Sequence, residues 1–600
     1  MMKGGQGRKK INIQSNLSTS VKKSFTTDYD EAFNEGNVEM MLKLLAGFPS
    51  TPQQIPQPPL SCLSLQGGGA KGATYPGCAE ALEENGYFEE IKVVAGASAG
   101  AISAFIVGLG FSAEQFKYLS GKVNFLDYTD LESEGWGAFF NGHKVGVGLD
   151  LLHYGAAFKG VGFHHFATSM VEQILGDPNA TFADLHEMMK YDPTLKDMVF
   201  KATRYNAKSG DRIEQTFSFE ETPNIRIADA VRASMAFPGA FAPWPVKDKQ
   251  GNLFGVFADG GILNNNPVDV FNERAYYDSK YKPKEKKDHR GVPHQINPCS
   301  VGLSLTPLED LDEEITPFTS RIRVKKSQQK FDEKKNGKIK HNEAQKINGE
   351  WRFNDILNAV LWNTIGVPIK EEMQAKHALY NEQTVQVWPE DVDTLEFDAS
   401  PAKLERLFNS GKNAMQLWLE KFRDPSSPYE YPEFFDDSPS KEERLLRKQD
   451  PDAFYHQKFV EYFSAFQAEM KKAKTQERND NEALYKNVKL RYLSYKIDEL
   501  KQKMEKNQSL KKAPDEILET AFKRACQNMK DKEELVEKKR KERWNLIRDD
   551  DLIAHIAEKL VKCRKEKTAA SQDEVLRLMR GQLSNIIPLI RAKKGGNLLS

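Results

Sequence analysis

The chain has 600 residues, with 86 Lys and Arg against 86 Asp and Glu, so its formal net charge at pH 7 is zero. This length exceeds one ordinary hydrophobic core and predicts a globular protein of two or three domains. The five cysteines are scattered without a C-x-x-C pair, which argues against a disulfide framework and against a zinc site.

The neutral total hides an uneven distribution of charge. Residues 441–600 contain 38 Lys and Arg against 27 Asp and Glu, a net charge of +11, which leaves −11 for residues 1–440. We therefore expect the C-terminal part to be the one that meets anionic surfaces such as membranes. Nucleic acid is not expected as a partner.

Residues 1–59 are predicted to be an N-terminal extension. They begin with a basic stretch that lacks the apolar core of a secretory signal. They run into the proline-rich linker TPQQIPQPPL, whose rings and missing N–H donors prevent regular structure. Ordered structure is expected from residue 60 onwards.

From residue 60, apolar strand-like segments alternate with helical patterns, which indicates an α/β unit with parallel strands. Strands are predicted at 60–66 and 91–96, each followed by a helix, at 73–85 and 101–109. The later predicted strands are 198–207, 214–220, 252–258 and 297–305.

Two segments of this region have more than one interpretation. Residues 93–113 are uncharged and long enough to span a bilayer, but their glycines and strand-turn-helix rhythm argue against a transmembrane helix. Residues 135–166 are rich in glycine and aromatic residues and interrupt the alternation. We interpret them either as an irregular insertion packed on the core or as a mobile, lipid-facing flap over the site.

Beyond about residue 430, Lys, Glu, Leu and Arg dominate, which is typical of a helical module. Aromatic residues recur there at helical intervals and predict the buried stripe of a helix bundle. They are Phe454, Phe459, Tyr462, Phe463 and Phe466.

The first predicted strand runs directly into the glycine-rich stretch GGGAKG, residues 67–72. A strand, a glycine turn and a helix N-terminus gather backbone N–H groups around one point, which favours negative charge. The spacing of Gly67, Gly69 and Gly72 fits a dinucleotide site, although that pattern alone is weak. A Walker loop is excluded, because Lys71 is followed by Gly72 and Ala73 and no Ser or Thr stands directly after the lysine. An oxyanion hole for acyl transfer is the third alternative.

A G-x-S-x-G motif, Gly96 to Gly100, stands at the end of the second predicted strand. Its small residues permit a tight turn that lifts the Ser98 hydroxyl above the sheet, at the start of the next helix. A dinucleotide site would need an acidic residue there to hold the ribose. If the two strands are adjacent and parallel, Gly67, Gly68 and Gly69 lie beside Ser98 and can offer N–H donors to an oxyanion.

The serine needs a base. None of the histidines stands in a recognisable setting after a strand, so we interpret them as surface or packing residues. Asp259 is the better candidate, because an apolar strand ends at it and Gly260 and Gly261 let the backbone expose its carboxylate. An ordinary Asp-Gly-Gly hairpin turn is the alternative.

Four motifs in order resemble those of patatin-like phospholipases, over roughly residues 60–310. They are GGGAKG at 67–72, GASAG at 96–100, ASMAFPGAFAP at 233–243 and DGGILNNNP at 259–267. The resemblance implies a patatin-like three-layer α/β sandwich with a mainly parallel central sheet, followed by a mainly α-helical C-terminal domain.

The resemblance also implies a role for each motif residue. Ser98 would be the nucleophile and Asp259 the base of a Ser–Asp dyad without histidine, with no metal and no cofactor. The oxyanion hole would be formed by Gly67, Gly68 and Gly69. Lys71 stands where the family usually has arginine, which keeps the charge but loses the planar fork. The other supporting motif residues are Gly72, Gly96, Gly100, Gly260 and Gly261.

The implied activity is that of a phospholipase A acting on membrane phospholipids. The expected division is an extension at 1–59, a catalytic domain at 60–430 and a charged helical domain at 431–600 that binds a partner or a membrane. This layout resembles patatin-like effectors that bacteria inject into host cells through a dedicated secretion system. Such effectors imply a host protein activator, a small GTPase or ubiquitin. The alternative is a host-protein-binding effector in which catalysis is secondary.

Overall fold

The structure is a computed structural model. It describes residues 25–51, 54–122, 156–158, 160–205, 212–288, 290–305, 379–389, 392, 396, 399–475 and 481–548.

The strands confirm the predicted alternation. One mixed sheet has the order β12-β11-β1-β2-β4-β8-β7, with β5 paired to β4, and the pairs from β12 to β4 are parallel. Two short two-stranded pairs, β9 with β10 and β3 with β6, stand apart from it. The strands are β1 Cys62–Leu65, β2 Val93–Gly96, β3 Ala156–Phe158, β4 Asp197–Tyr205, β5 Arg212–Phe217, β6 Gly239–Phe241, β7 Trp244–Lys247, β8 Leu253–Asp259, β9 Lys284–Lys287, β10 Pro293–Ile296, β11 Ser300–Ser304 and β12 Thr384–Gln386.

Helices cover the sheet and form the C-terminal region. They are α1 Phe25–Glu35, α2 Val38–Gly47, α3 Tyr75–Glu84, α4 Ala99–Gly108, α5 Ala113–Lys122, α6 Val161–Leu175, α7 Phe182–Met188, α8 Ile227–Ser234, α9 Pro401–Phe422, α10 Lys441–Gln449, α11 Pro451–Thr475, α12 Asn481–Lys486, α13 Val488–Glu505 and α14 Pro514–Arg548.

Both faces of the central strands are buried, as expected for parallel strands covered on two sides. Successive side chains point to opposite faces, so Leu63 and Leu65 join the large core under α4. Cys62 points the other way, into a smaller cluster with Val270 and Phe271. These clusters make the sheet the middle layer of a sandwich.

Strand register sets the geometry of the site. In the parallel pairing of β1 with β2, Leu65 lies opposite Gly96, so the loops that follow the two strands begin side by side. Gly96 also lies opposite Phe200 of β4. Strand β8 runs antiparallel to β4 and places Asp259 opposite Ala202, two residues beyond Phe200. The end of β8 therefore reaches the edge of the sheet at which β1 and β2 end.

The two ambiguous segments resolve into regular structure where they are described. Residues 93–113 comprise β2, the turn at Ser98, α4 and the start of α5, which confirms the strand-turn-helix interpretation. None of the described helices is both long and apolar enough to cross a membrane. Residues 161–166 are the first turns of α6 rather than irregular chain, because Phe163 and Phe166 bury at helical spacing. Residues 135–155 and 159 lie outside the described residues.

The chain divides into two compact units. The smaller unit comprises the described residues of Met1–Gln57, with Pro425–Glu430 and Ser438–Asp531. Its core contains the predicted aromatic stripe of α11, all five members of which are buried. Phe466 packs edge-on against Phe48 at 6.0 Å between ring centroids, and Phe463 packs against Phe522 at 5.4 Å. This confirms the helix-bundle interpretation of the stripe.

The larger unit contains the sheet and also Lys532–Arg548, the last turns of α14. Ile547 is buried in the core of this unit. Arg543 is almost fully buried, donates from Nε to Leu109 O at 2.7 Å and pairs with Asp192 at 2.9 Å. The expected domain boundaries at residues 59 and 430 stay a prediction.

Candidate active site

The turn at Ser98 has the backbone of a nucleophile elbow. Ser98 has φ 53° and ψ −125°, and it is the only non-glycine residue with positive φ in the described part of the chain. A Cβ on Gly96 would lie 2.2 Å from Gly100 O, and a Cβ on Gly100 would lie 2.1 Å from Leu65 O. Both positions therefore require glycine, which is the physical content of the G-x-S-x-G motif.

Ser98 is half-buried and occupies the N-cap position of α4, a helix whose interior is buried throughout. The N-terminal end of a helix carries partial positive charge, which stabilises negative charge that develops on or near the serine oxygen. Gly72 lies close to this helix start, since a Cβ there would be 3.3 Å from Ala99 Cβ. The turn therefore presents the hydroxyl in a setting that favours an anion.

The glycine-rich loop lies against the elbow, as predicted. A Cβ on Gly67 would be 3.0 Å from Ser98 Cβ. Gly69 has φ 56° and opens a short 3-10 helix that ends at Thr74, just before α3. A Cβ on Gly68 would be 2.7 Å from Leu305 Cδ1, so the loop fits closely between the serine turn and the residue after β11.

One of the three expected oxyanion donors is already paired. The Gly67 N–H donates to Asn265 O at 2.9 Å. The expectation that all three glycines offer free N–H groups is therefore wrong for Gly67, which lies close against Ser98. Gly68 and Gly69 stay the predicted donors. Lys71 directs its backbone N–H back to Gly68 O at 3.3 Å, which closes the turn.

Asp259 is the last residue of β8 and is 1% exposed. Its Oδ1 accepts the Gly261 N–H at 2.7 Å, and its own N–H donates to Ala236 O at 3.0 Å. Among the described residues, no group forms a hydrogen bond of good geometry with its buried Oδ2. A Cβ on Gly260 would lie 2.1 Å from Lys201 O, and the chain continues into a 3-10 turn. The segment is therefore not an ordinary hairpin turn.

Burial raises the pKa of Asp259 to about 7. The nearby Ser98 hydroxyl, the Gly261 N–H and the positive charge of Arg232 act in the opposite direction and lower the pKa, but burial outweighs them. A carboxyl group that titrates near neutral pH can accept a proton and return it during one reaction cycle. The electrostatics of Asp259 therefore suit a general base.

Sequence reasoning missed three residues that hold this site together. Asn265 bonds to Gly67 through both its carbonyl and its side chain, whose Nδ2 donates to Gly67 O at 3.1 Å. Ser234 Oγ accepts the Ser98 N–H at 3.2 Å. Arg232 is fully buried and donates from Nε to Gly160 O at 2.9 Å. Asn265 and Ser234 lie within motifs that were recognised and Arg232 lies just before one of them, but the sequence alone does not reveal such long-range bonds.

Histidines such as His164 and His186 pair with carboxylates other than Asp259. His164 Nε2 lies 2.7 Å from Asp229 Oδ1, and His186 Nδ1 lies 2.9 Å from Asp197 Oδ2. Neither carboxylate is that of Asp259. Among the described residues, no group of three or more His, Cys, Asp or Glu side chains is arranged to hold a metal ion.

Comparison with known proteins finds a family match over part of the chain. Residues 63–272 match the family model of the patatin-like phospholipases. An uncharacterised protein of Acanthamoeba polyphaga mimivirus is 25% identical over 232 residues, which are 37% of this chain and 65% of the relative. A protein of Invertebrate iridescent virus 6, described as a probable lipid hydrolase, is 26% identical over 224 residues, 37% of this chain and 66% of that protein. The chain thus spans just under two thirds of the length of each relative.

The structure also has distant likenesses among solved structures. VipD from Legionella pneumophila gives a TM-score of 0.34 at 16% identity, covering 84% of this chain and 88% of VipD. The heterodimeric ExoU–SpcU complex from the type III secretion system of Pseudomonas aeruginosa gives a TM-score of 0.34 at 18% identity, covering 80% of each chain. The α/β sandwich with a mostly parallel sheet and a helical C-terminal region confirms the fold class expected from the sequence. Residues 63–272, which hold Ser98, Asp259 and the glycine-rich loop, form a domain of the patatin-like phospholipase family.

Proposed function

We propose that this protein is a phospholipase A that hydrolyses acyl esters of membrane glycerophospholipids through a dyad of Ser98 and Asp259. The observation that carries the proposal is the pairing of a strained serine elbow with a buried aspartate. The Ser98 hydroxyl lies near enough to affect the pKa of Asp259, which is raised to about 7. The family match and the viral relative described as a lipid hydrolase support a lipid substrate.

In the first half of the reaction, Ser98 Oγ attacks the ester carbonyl carbon while Asp259 accepts the hydroxyl proton. The carbonyl oxygen becomes an oxyanion, which the N–H groups of Gly68 and Gly69 stabilise. Loss of one such donor typically costs about 3–4 kcal/mol of barrier. The intermediate then expels the lysophospholipid alkoxide, which takes the proton from Asp259 and leaves an acyl group on Ser98.

In the second half, water attacks the acyl-enzyme. Asp259 accepts a proton from the water, the oxyanion forms again in the same place, and collapse of the intermediate returns the proton to Ser98 and releases the fatty acid. One carboxyl group therefore serves as base and acid in each half. An alkoxide is a better leaving group than an amine, which favours ester over amide hydrolysis.

The test is release of fatty acid from mixed phospholipid vesicles by the full chain. Wild type is compared with Ser98→Ala and Asp259→Asn. The matched controls are Ser103→Ala, a buried serine inside α4, and Asp197→Asn, whose carboxylate pairs with His186. Release that both dyad variants abolish and both controls retain supports the proposal. Release that survives Ser98→Ala contradicts it.

We further infer an effector role, in which the protein is delivered into a host cell by a dedicated secretion system and acts at host membranes. The net positive charge of residues 441–600 supports binding to an anionic surface or partner. The inferred activator is a host protein, a small GTPase or ubiquitin, and the alternative is a host-protein-binding effector whose catalysis is secondary. The vesicle assay with and without eukaryotic cell extract tests this inference. Equal release in both conditions contradicts a host activator.

A further inference from the structure

Ser234 connects two parts of the active site through one hydroxyl group. It is the last residue of α8 and is fully buried. Its Oγ accepts the backbone N–H of Ser98 at 3.2 Å and donates its own hydrogen to Lys201 O at 2.6 Å. The Ser234 hydroxyl therefore donates its single hydrogen to Lys201 O and accepts the Ser98 N–H with a lone pair.

The two bonded groups belong to the two halves of the dyad. The Ser98 N–H is part of the elbow, whose left-handed backbone conformation is unfavourable for serine. Lys201 O lies on β4 against Gly260, where an added Cβ would come within 2.1 Å of it. Gly260 directly follows Asp259. The Ser234 hydroxyl therefore spans from the turn that carries the nucleophile to the strand that supports the base.

The chain just after Ser234 makes a second connection to the base. The carbonyl of Ala236 accepts the backbone N–H of Asp259 at 3.0 Å. Within three residues, the segment thus bonds to the backbone of both dyad members. Among the described residues, the Ser98 N–H makes no second hydrogen bond that competes with the one to Ser234.

We propose that Ser234 is a positioning residue that fixes the separation of Ser98 and Asp259. The proposal rests on the proposed function in taking Ser98 as the nucleophile and Asp259 as its base. Without the hydroxyl, the Ser98 N–H loses its hydrogen-bond partner and the elbow is free to shift relative to β4. A displacement of about 1 Å at a reacting group can cost about 100-fold in rate.

Ser300 offers a matched control. It is equally buried, and its Oγ donates to Asn297 O at 3.0 Å and accepts Gln383 Nε2 at 3.2 Å. Like Ser234, it uses its hydroxyl once as donor and once as acceptor. It lies at the start of β11, and its bonds do not involve the dyad. Ser234→Ala and Ser300→Ala therefore each remove one buried hydroxyl that donates one hydrogen bond and accepts another. Only the Ser234 hydroxyl is bonded to the site.

The experiment measures kcat and KM of the full-length variants on p-nitrophenyl butyrate, a soluble ester, together with their thermal unfolding. The labelling rate of Ser98 by an alkyl fluorophosphonate is measured in parallel. For Ser234→Ala we expect kcat and the labelling rate to fall by about 10- to 100-fold with KM little changed. Ser300→Ala is expected to keep both rates, and Ser234→Thr, which retains a hydroxyl, is expected to recover part of them.

The outcomes separate this proposal from the proposed function. If wild type is labelled at Ser98 but releases no fatty acid from vesicles, the lipid substrate is wrong and the labelling rates still test Ser234. If Ser234→Ala loses no more rate than Ser300→Ala, or changes only KM, the positioning role is overturned. If wild type shows neither labelling nor ester hydrolysis, Ser98 is not a nucleophile and both proposals fall.

Discussion

Asn265 binds both backbone polar groups of Gly67: its carbonyl oxygen accepts the Gly67 N–H at 2.9 Å, and its Nδ2 donates to Gly67 O at 3.1 Å. A Cβ on Gly67 would lie only 2.3 Å from Asn265 Oδ1, so the contact is also sterically tight. The loop that follows Asp259 therefore holds the loop that faces Ser98. The glycine-rich loop and Asp259, which we propose as the source of the oxyanion donors and as the base, are therefore parts of one bonded assembly.

Removal of the Asn265 side-chain donor should slow catalysis more than it weakens substrate binding. In Asn265→Asp the Nδ2 donor is lost and a carboxylate faces the Gly67 carbonyl, so the loop moves away from Ser98. We expect kcat to fall by up to about 100-fold, measured on p-nitrophenyl butyrate. Asn297→Ala is the control, since this buried asparagine binds Phe271 O and Tyr276 O instead. A larger loss of kcat in the control would refute the role of Asn265.

The activity should depend on pH through the ionisation of Asp259. Burial raises its pKa to about 7, and only the deprotonated carboxylate can accept the Ser98 proton. We therefore expect kcat/KM to be low in acid, to rise as pH increases through about 7 and then to level off. The pH profile with a soluble ester checks this. A value of kcat/KM that does not change between about pH 5 and about pH 8 would exclude Asp259 as the base.

Asp259→Asn should inactivate the enzyme and stabilise its fold at alkaline pH. The pKa of Asp259 is higher in the folded than in the unfolded chain, so folding favours the protonated form. The carboxyl group thus supports the fold at low pH and disfavours it increasingly as pH rises from 3.8, the ordinary pKa of an aspartate, through about 7. Thermal unfolding should show the variant above wild type at pH 8 and the gap narrowing towards pH 4. A gap that does not change with pH would contradict the raised pKa.

The glycines of the elbow should be intolerant of alanine. In Gly96→Ala and Gly100→Ala the new Cβ would lie 2.2 Å and 2.1 Å from backbone oxygens. Backbone cannot yield as a side chain does, so we expect little folded protein, measured by circular dichroism and thermal unfolding. Gly121→Ala is the control, because this helical glycine in α5 has open space around its Cβ position. That change should raise stability by about 0.5–1 kcal/mol.

The anchor of α14 in the larger unit should contribute strongly to stability. Arg543 forms a buried ion pair with Asp192 and also donates to Leu109 O, near the C-terminal end of α4. In Arg543→Met the Asp192 carboxylate loses its cation while remaining buried, which typically costs about 3–5 kcal/mol. Lys541→Met, at an exposed position of the same helix, is the control. Equal denaturation midpoints of the two variants would show that the pair is not an anchor.

Much of the site could be predicted from sequence because its motifs are local. The turn at Ser98 depends on Gly96 and Gly100 within five residues, and the strand before it and helix after it follow from short apolar patterns. The same is true of the turn after Asp259, where Gly260 must fit against Lys201 O. Backbone geometry of this kind restricts the choice of residue at each position, so it can be recognised in the amino-acid sequence.

How these turns contact one another could not be predicted from the amino-acid sequence. The bond from Ser98 to Ser234 joins residues 136 positions apart, and the bond from Asn265 to Gly67 joins residues 198 positions apart. Strand register and burial decide such pairs, and neither has a local signature. For the same reason the sequence suggested Gly67 as an oxyanion donor, whereas the fold pairs its N–H with Asn265.

The sequence by itself thus determined the α/β alternation, the serine elbow, the glycine-rich loop and the identity of the two dyad residues as candidates. The tertiary structure alone decided which N–H groups are paired, that Ser234 supports the elbow and that Asp259 is buried enough for its pKa to reach about 7. The physical reason is that turn geometry depends on neighbours in the chain. Hydrogen-bond partners and desolvation depend on neighbours in space.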